Sequence, residues 1–227
     1  MKGGRIGARA LLLACVVAIA APTTARAAPS DSDLVWLGLA LTPPTYVAGV
    51  ALHEGSHALA GKLMGAKLVS LSIIPGRDPR TGAFHFGLTR VTNLRGRGAH
   101  AFFLAAPKIT DSVLLAGIGA LVFTDGWPNN RYGQLALTVA ATGLWIDFAK
   151  DVLTFSKFND VIKLGNLFCV NTELRRLPAR LVYAGIAAGF GYIVYRGYQR
   201  TFVESDPATA RFADPPRWSI GLLSSKF

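Results

Sequence analysis

The chain has 227 residues, 51% hydrophobic and only 16% charged, with a mean hydropathy of +0.36; soluble domains carry about a quarter charged residues, so the composition points away from them and toward a single-domain integral membrane protein. The net charge of +11 would suit a nucleic-acid partner, but the basic residues lie in the connections between apolar runs, where a membrane protein keeps its cytoplasmic charge, so no nucleic acid is expected. The two cysteines, Cys15 and Cys169, offer neither an internal disulfide in a processed chain nor a metal knuckle.

Residues 1–27 read as a secretory signal. Lys2, Arg5 and Arg9 precede an apolar stretch over residues 10–21, and Ala25-Arg26-Ala27 supplies a small-x-small cleavage pattern. An uncleaved anchor is the alternative. In either case the following residues start on the far side of the membrane.

Residues 28–199 are expected to form the membrane domain, an all-α polytopic bundle of about four transmembrane helices. The apolar segments cover residues 34–63, 99–123, 132–155 and 181–198, each near the roughly 20 residues that a span requires. A β-hairpin is expected between the first and second. Residues 68–74 and 83–91 have strand character, with Gly76, Asp78, Pro79 and Gly82 supplying turn chemistry between them. Residues 200–227 form a polar tail containing Pro207, Pro215 and Pro216.

Charge sets the expected topology. Lys62, Lys67, Arg77, Arg80, Arg90, Arg95 and Arg97 flank or lie within the hairpin, and Lys157, Lys163, Arg175, Arg176 and Arg180 follow the third segment. The positive-inside rule places both connections in the cytoplasm, so the first segment runs inward.

His53-Glu54-Gly55-Ser56-His57 is an H-E-x-x-H motif. On a helix, residues four apart share a face, so both imidazoles can reach one metal ion, and Glu54 stands beside the first of them as a candidate general base. Three ionisable side chains within five positions of an apolar run are costly in a membrane and call for a reason. The plain alternative is a pair of solvated interfacial histidines, with Glu54 paired to Lys62.

Residues 51–65 (ALHEGSHALAGKLMG) resemble the first core helix of the site-2 protease family of intramembrane zinc metalloproteases, and residues 103–111 (FLAAPKITD) resemble its second, with Ala106 in place of a glycine, Pro107 matching and Asp111 a departure. The resemblance covers about residues 34–167. It implies a Zn2+ site near the cytoplasmic face of a bacterial inner membrane, acting on transmembrane protein substrates within the lipid bilayer. It also implies a third ligand from an aspartate near the third core helix. Asp147, Asp151 and Asp160 are the candidates, with Asp160 preferred because it follows an interruption of the third segment in residues 156–165 (SKFNDVIKLG). Val161 stands where the family has glycine, and no proline precedes the aspartate.

The implied site is therefore His53, His57 and Asp160 for metal, Glu54 as general base, and Asn159 as a group that binds substrate. His85 and His100 are weaker ligand candidates. The missing proline and Asp-Gly pair motivate one alternative: a catalytically inactive membrane scaffold or binding protein that keeps the fold.

Overall fold

The structure, a computed structural model, describes residues 29–78, 80, 82–156 and 159–204. The expected signal over residues 1–27, the turn residue Pro79 and the polar tail beyond residue 204 lie outside the described residues.

The first helix, α1, spans Asp31–Leu63. Its start is a capping box, in which the Ser30 hydroxyl accepts from the Asp33 backbone N–H and the Asp33 carboxylate accepts from the Ser30 N–H, both at 3.2 Å. Pro43 and Pro44 lie inside α1, which runs through them. The helix ends where Gly65 adopts φ +77° and the Ala66 N–H bonds back to the Gly61 carbonyl at 2.8 Å. This is a Schellman stop, at a backbone angle that favours glycine.

The expected hairpin follows, in two paired stretches. Strand β1 (Lys67–Ser72) pairs antiparallel with β4 (Leu88–Thr92), with a bulge between Leu68 and Ser70. Nearer the tip, β2 (Gly76–Arg77) pairs with β3 (Phe84–His85). Pairing lapses over residues 73–75 and 86–87, where Pro75 has no N–H to donate. At the tip, the Gly82 N–H bonds the Asp78 carbonyl at 2.7 Å and the Asp78 N–H bonds the Ala83 carbonyl at 2.8 Å. Arg90 reaches across the hairpin to pair with the Asp78 carboxylate.

Four more helices complete the described chain: α2 (Arg97–Val122), α3 (Arg131–Ala149), α4 (Asp160–Leu167) and α5 (Glu173–Tyr198). Asn130, Asn159 and Thr172 cap α3, α4 and α5 through side-chain oxygens. A π-helical turn, Gln199–Val203, continues α5.

Three helices are long and apolar enough to cross a bilayer: α1, α2, and α5 together with its π turn. The apolar run over residues 132–155 predicts a fourth, but α3 is not among the three. It stops at Ala149 and passes into a 3-10 turn, Lys150–Val152. Its position accounts for its mixed composition. α3 packs against α1, α2 and α5, so its buried Gln134 and Thr138 face protein, and their polar atoms find partners there. Thr138 donates to the Gln134 carbonyl at 2.8 Å and lies 3.2 Å from the Thr201 hydroxyl. Leu115, Ala141, Leu144 and Val194 form the apolar centre where α2, α3 and α5 meet, with Ile118, Trp145 and Phe190 around it.

Candidate metal centre

The H-E-x-x-H segment lies on the last three turns of α1. It faces the one place where α2, the end of α3, the start of α4 and the hairpin converge. His57 is 4% exposed and Glu54 8% exposed. No ion pair joins Glu54 to Lys62 among the described residues.

The two histidines are oriented from behind. His57 Nδ1 lies 2.7 Å from the Phe103 carbonyl of α2, and its ring stacks on the Phe103 ring with centroids 4.6 Å apart. A carbonyl only accepts, so Nδ1 carries the proton and Nε2 is the free nitrogen. His53 Nδ1 lies 2.9 Å from Asp147 Oδ2, and the same reasoning leaves its Nε2 free. Both Nε2 atoms then face one carboxylate oxygen: Asp160 Oδ2 lies 3.1 Å from His57 Nε2 and 3.7 Å from His53 Nε2. The ligand atoms of His53, His57 and Asp160 all fall within 4.8 Å of one another, an arrangement that could hold a metal ion. Imidazoles backed at Nδ1 by a carboxylate or a backbone carbonyl are what metal-binding histidines present, because the backing bond fixes both ring angle and tautomer.

Asp160 is the first residue of α4, directly after its cap. Burial works to raise its carboxyl pKa, but the contacts with the His53 and His57 rings and with the Lys163 ammonium outweigh burial. The carboxyl is therefore held below the ordinary carboxylate range and is ionised. Lys163, one turn along, approaches its other oxygen at 3.0 Å.

The competing aspartates have other partners. Asp147 backs His53 and also pairs with Lys108 at 3.0 Å and with Lys150. Asp151 takes Lys108 at 2.9 Å and the Asn159 amide at 2.6 Å. The Asn159 side-chain oxygen accepts from Val161 N–H and Ile162 N–H, so both ends of its amide are engaged in starting α4. His85 lines the cavity described below, on the hairpin side. His100 bonds the Gly96 carbonyl at 2.9 Å at the start of α2.

A cavity of about 390 Å³ opens over the site. Its floor holds His53, Glu54, His57 and Asp160, and its roof is the hairpin over residues 83–89. Gly87 allows the hairpin to come this close: a Cβ there would lie 2.6 Å from Glu54 Cγ and 2.8 Å from Val50 Cγ1. The Thr89 hydroxyl completes the contact by donating to the Glu54 carbonyl at 2.9 Å.

The pairing of Asp147 with Lys108 or Lys150 is legible in the sequence, and the structure shows both. The backing of His53 by Asp147, and the gathering of Asp111 and Asp151 around the same Lys108 ammonium, are not: charged residues inside apolar segments mark such groups without giving all their partners. Compared with known protein families, curated proteins and solved structures, the chain matches none, so the reading of the site rests on its own residues and geometry.

Proposed function

We propose that this chain is a zinc-dependent intramembrane protease of the site-2 type, hydrolysing peptide bonds of membrane-embedded or membrane-proximal substrates. The observation that carries the reading is the convergence of His53 Nε2 and His57 Nε2 on the Asp160 carboxylate, with each Nδ1 held from behind. Two imidazoles and one carboxylate form a donor set suited to catalytic zinc, which leaves a coordination position open. His53, His57 and Asp160 would hold the ion. When bound, zinc supplies a Lewis acid and acidifies a water toward neutrality.

The chain's own groups do the rest. Glu54 sits beside the first ligand in the cavity floor, where it takes the proton of the attacking water and returns it to the leaving amine. The hairpin roof narrows the approach and keeps bulk water off Glu54. A substrate segment in extended form could add to the hairpin edge, which would satisfy backbone groups that lipid leaves unpaired.

A membrane setting is supported by the three long apolar helices and by what they leave uncovered. Trp36, Leu39, Leu59, Val113, Leu181 and Val182 are all more than half exposed, a surface that water does not favour and lipid does. His53 lies about 33 Å along α1 from Asp31 on the helical rise, a distance comparable to the bilayer core. Entry from the far side therefore brings the motif close to the cytoplasmic face, where the basic connections lie.

Metal analysis of detergent-purified protein tests the proposal. About one zinc per chain is expected in the wild type, with loss in His57→Ala and in Asp160→Ala. In Glu54→Gln, zinc is expected to remain while cleavage of a transmembrane peptide falls about 10²- to 10⁴-fold. Zinc in a wild type that cleaves nothing would favour the inactive scaffold, and a wild type that takes up no zinc would remove the metal reading.

A further inference from the structure

We propose that Lys108 is a positioning residue for this metal centre, a single buried ammonium that clamps the helix bearing His53 to the segment bearing Asp160. The inference rests on the metal reading above and concerns how the ligand set is held together.

A continuous path of bonds supports it. Lys108 lies on the inner side of α2 and is 9% exposed. Its Nζ stands 3.0 Å from Asp147 Oδ2 and 2.9 Å from Asp151 Oδ2. Each of these carboxylates leads to a different ligand. Asp147 accepts from His53 Nδ1 at 2.9 Å. Asp151, through its other oxygen, accepts from the Asn159 amide at 2.6 Å. Asn159 in turn receives the first N–H groups of α4 at 2.9 and 3.3 Å, which sets where Asp160 begins the helix. His53 and Asp160 face each other at 3.7 Å on the front and are joined through Lys108 at the back.

The alternative is a cation that only neutralises buried acids and ties the bundle together. The connectivity distinguishes the two. Of the three carboxylates around Lys108, Asp147 and Asp151 each lead to the ligand set. Asp111, at 3.5 Å from Nζ, lies on α2 itself beside the Asp147 carboxylate, and reaches the ligand set only through it. A simple neutralising role would make the three interchangeable, whereas a clamp makes Asp151, which holds the start of α4, matter to the metal more than Asp111. Methionine matches lysine in length but offers the carboxylates nothing, and arginine keeps the cation.

The test is zinc affinity by chelator competition, with the visible spectrum of the Co²⁺-substituted protein as a second readout of ligand geometry. Lys108→Met is expected to weaken zinc binding by about tenfold to a hundredfold, as loss of outer-shell partners does, and to alter the Co²⁺ bands. Lys108→Arg should recover most of that loss. Asp151→Asn should weaken zinc and alter the bands in the same sense, while Asp111→Asn has the smaller effect on both. A folded Lys108→Met with wild-type affinity and spectrum would overturn the inference. Should Lys108→Met fail to fold, wild-type behaviour of Asp151→Asn overturns it instead, as would equal losses in Asp151→Asn and Asp111→Asn. A wild type without zinc removes the metal reading and this inference with it.

Discussion

Gly87 is the residue on which the cavity's shape depends most directly. The hairpin crosses Glu54 so closely that a methyl group at this position would collide with the middle of the glutamate side chain and with Val50. The atoms nearest to such a methyl group belong to Glu54 and Val50 rather than to His53, His57 or Asp160, so under the proposed function its replacement would separate proton transfer from metal binding. Gly87→Ala is expected to keep its zinc and lose activity toward a transmembrane peptide, by up to about 10²- to 10⁴-fold if Glu54 is pushed out of reach. Parallel metal analysis and cleavage assays check this, and loss of zinc in the variant would mean that the hairpin supports the ligands as well. In the sequence, Gly87 gave no sign of this role, because the approach it permits is made by a helix more than thirty residues earlier. The histidine pair was legible for the opposite reason: four residues on one helix determine a shared face without help from the rest of the chain.

Among the helices, α3 and α5 approach closely beside a pair of hydroxyls. Gly197 of α5 faces Thr138 of α3, and a Cβ at Gly197 would lie 3.0 Å from the Thr138 hydroxyl. That hydroxyl sits beside Thr201, which itself bonds back to the Gly197 carbonyl at 2.8 Å. Small residues let helix backbones approach in this way, and hydroxyls then bridge them. Gly197→Leu is expected to force α3 and α5 apart and lower stability by about 1–3 kcal/mol, the usual cost of overpacking. Thermal unfolding in detergent reads this, and an unchanged midpoint would show that the two helices can separate freely. The metal centre stands at the other end of α3, so zinc content should persist in the folded variant. The long helices themselves were readable from apolar runs. That α3 is the central helix, with polar groups turned toward its neighbours, was not, because a count of apolar residues does not say which neighbour covers each side.

For the molecule as a whole, orientation is the open mechanical consequence. Cys169 is exposed in the connection between α4 and α5, next to the basic residues Arg175 and Arg176. If the chain enters from the far side and its basic connections remain cytoplasmic, a membrane-impermeant maleimide should label Cys169 in inverted vesicles and not in intact spheroplasts. A Cys15→Ser background removes the one other thiol. Labelling from the outer side would invert the topology and place the metal centre at the opposite face of the bilayer.

The amino-acid sequence determined what depends on near neighbours: the apolar segments, the hairpin between the first two of them, and the pairing of His53 with His57 on one helical face. It also narrowed the third ligand to three aspartates in one region. Among the described residues, tertiary structure groups Asp160 with the two imidazoles in an arrangement that could hold a metal ion. Asp160 meets His57 across 103 residues of chain and Asp147 meets His53 across 94. Which carboxylate stands in front of the imidazoles and which behind depends on how α1, α2 and α3 pack, and on where the chain turns after Ala149. Helical periodicity carries no information over such separations, because it relates a residue to its own turns and not to the helix that comes to lie beside it.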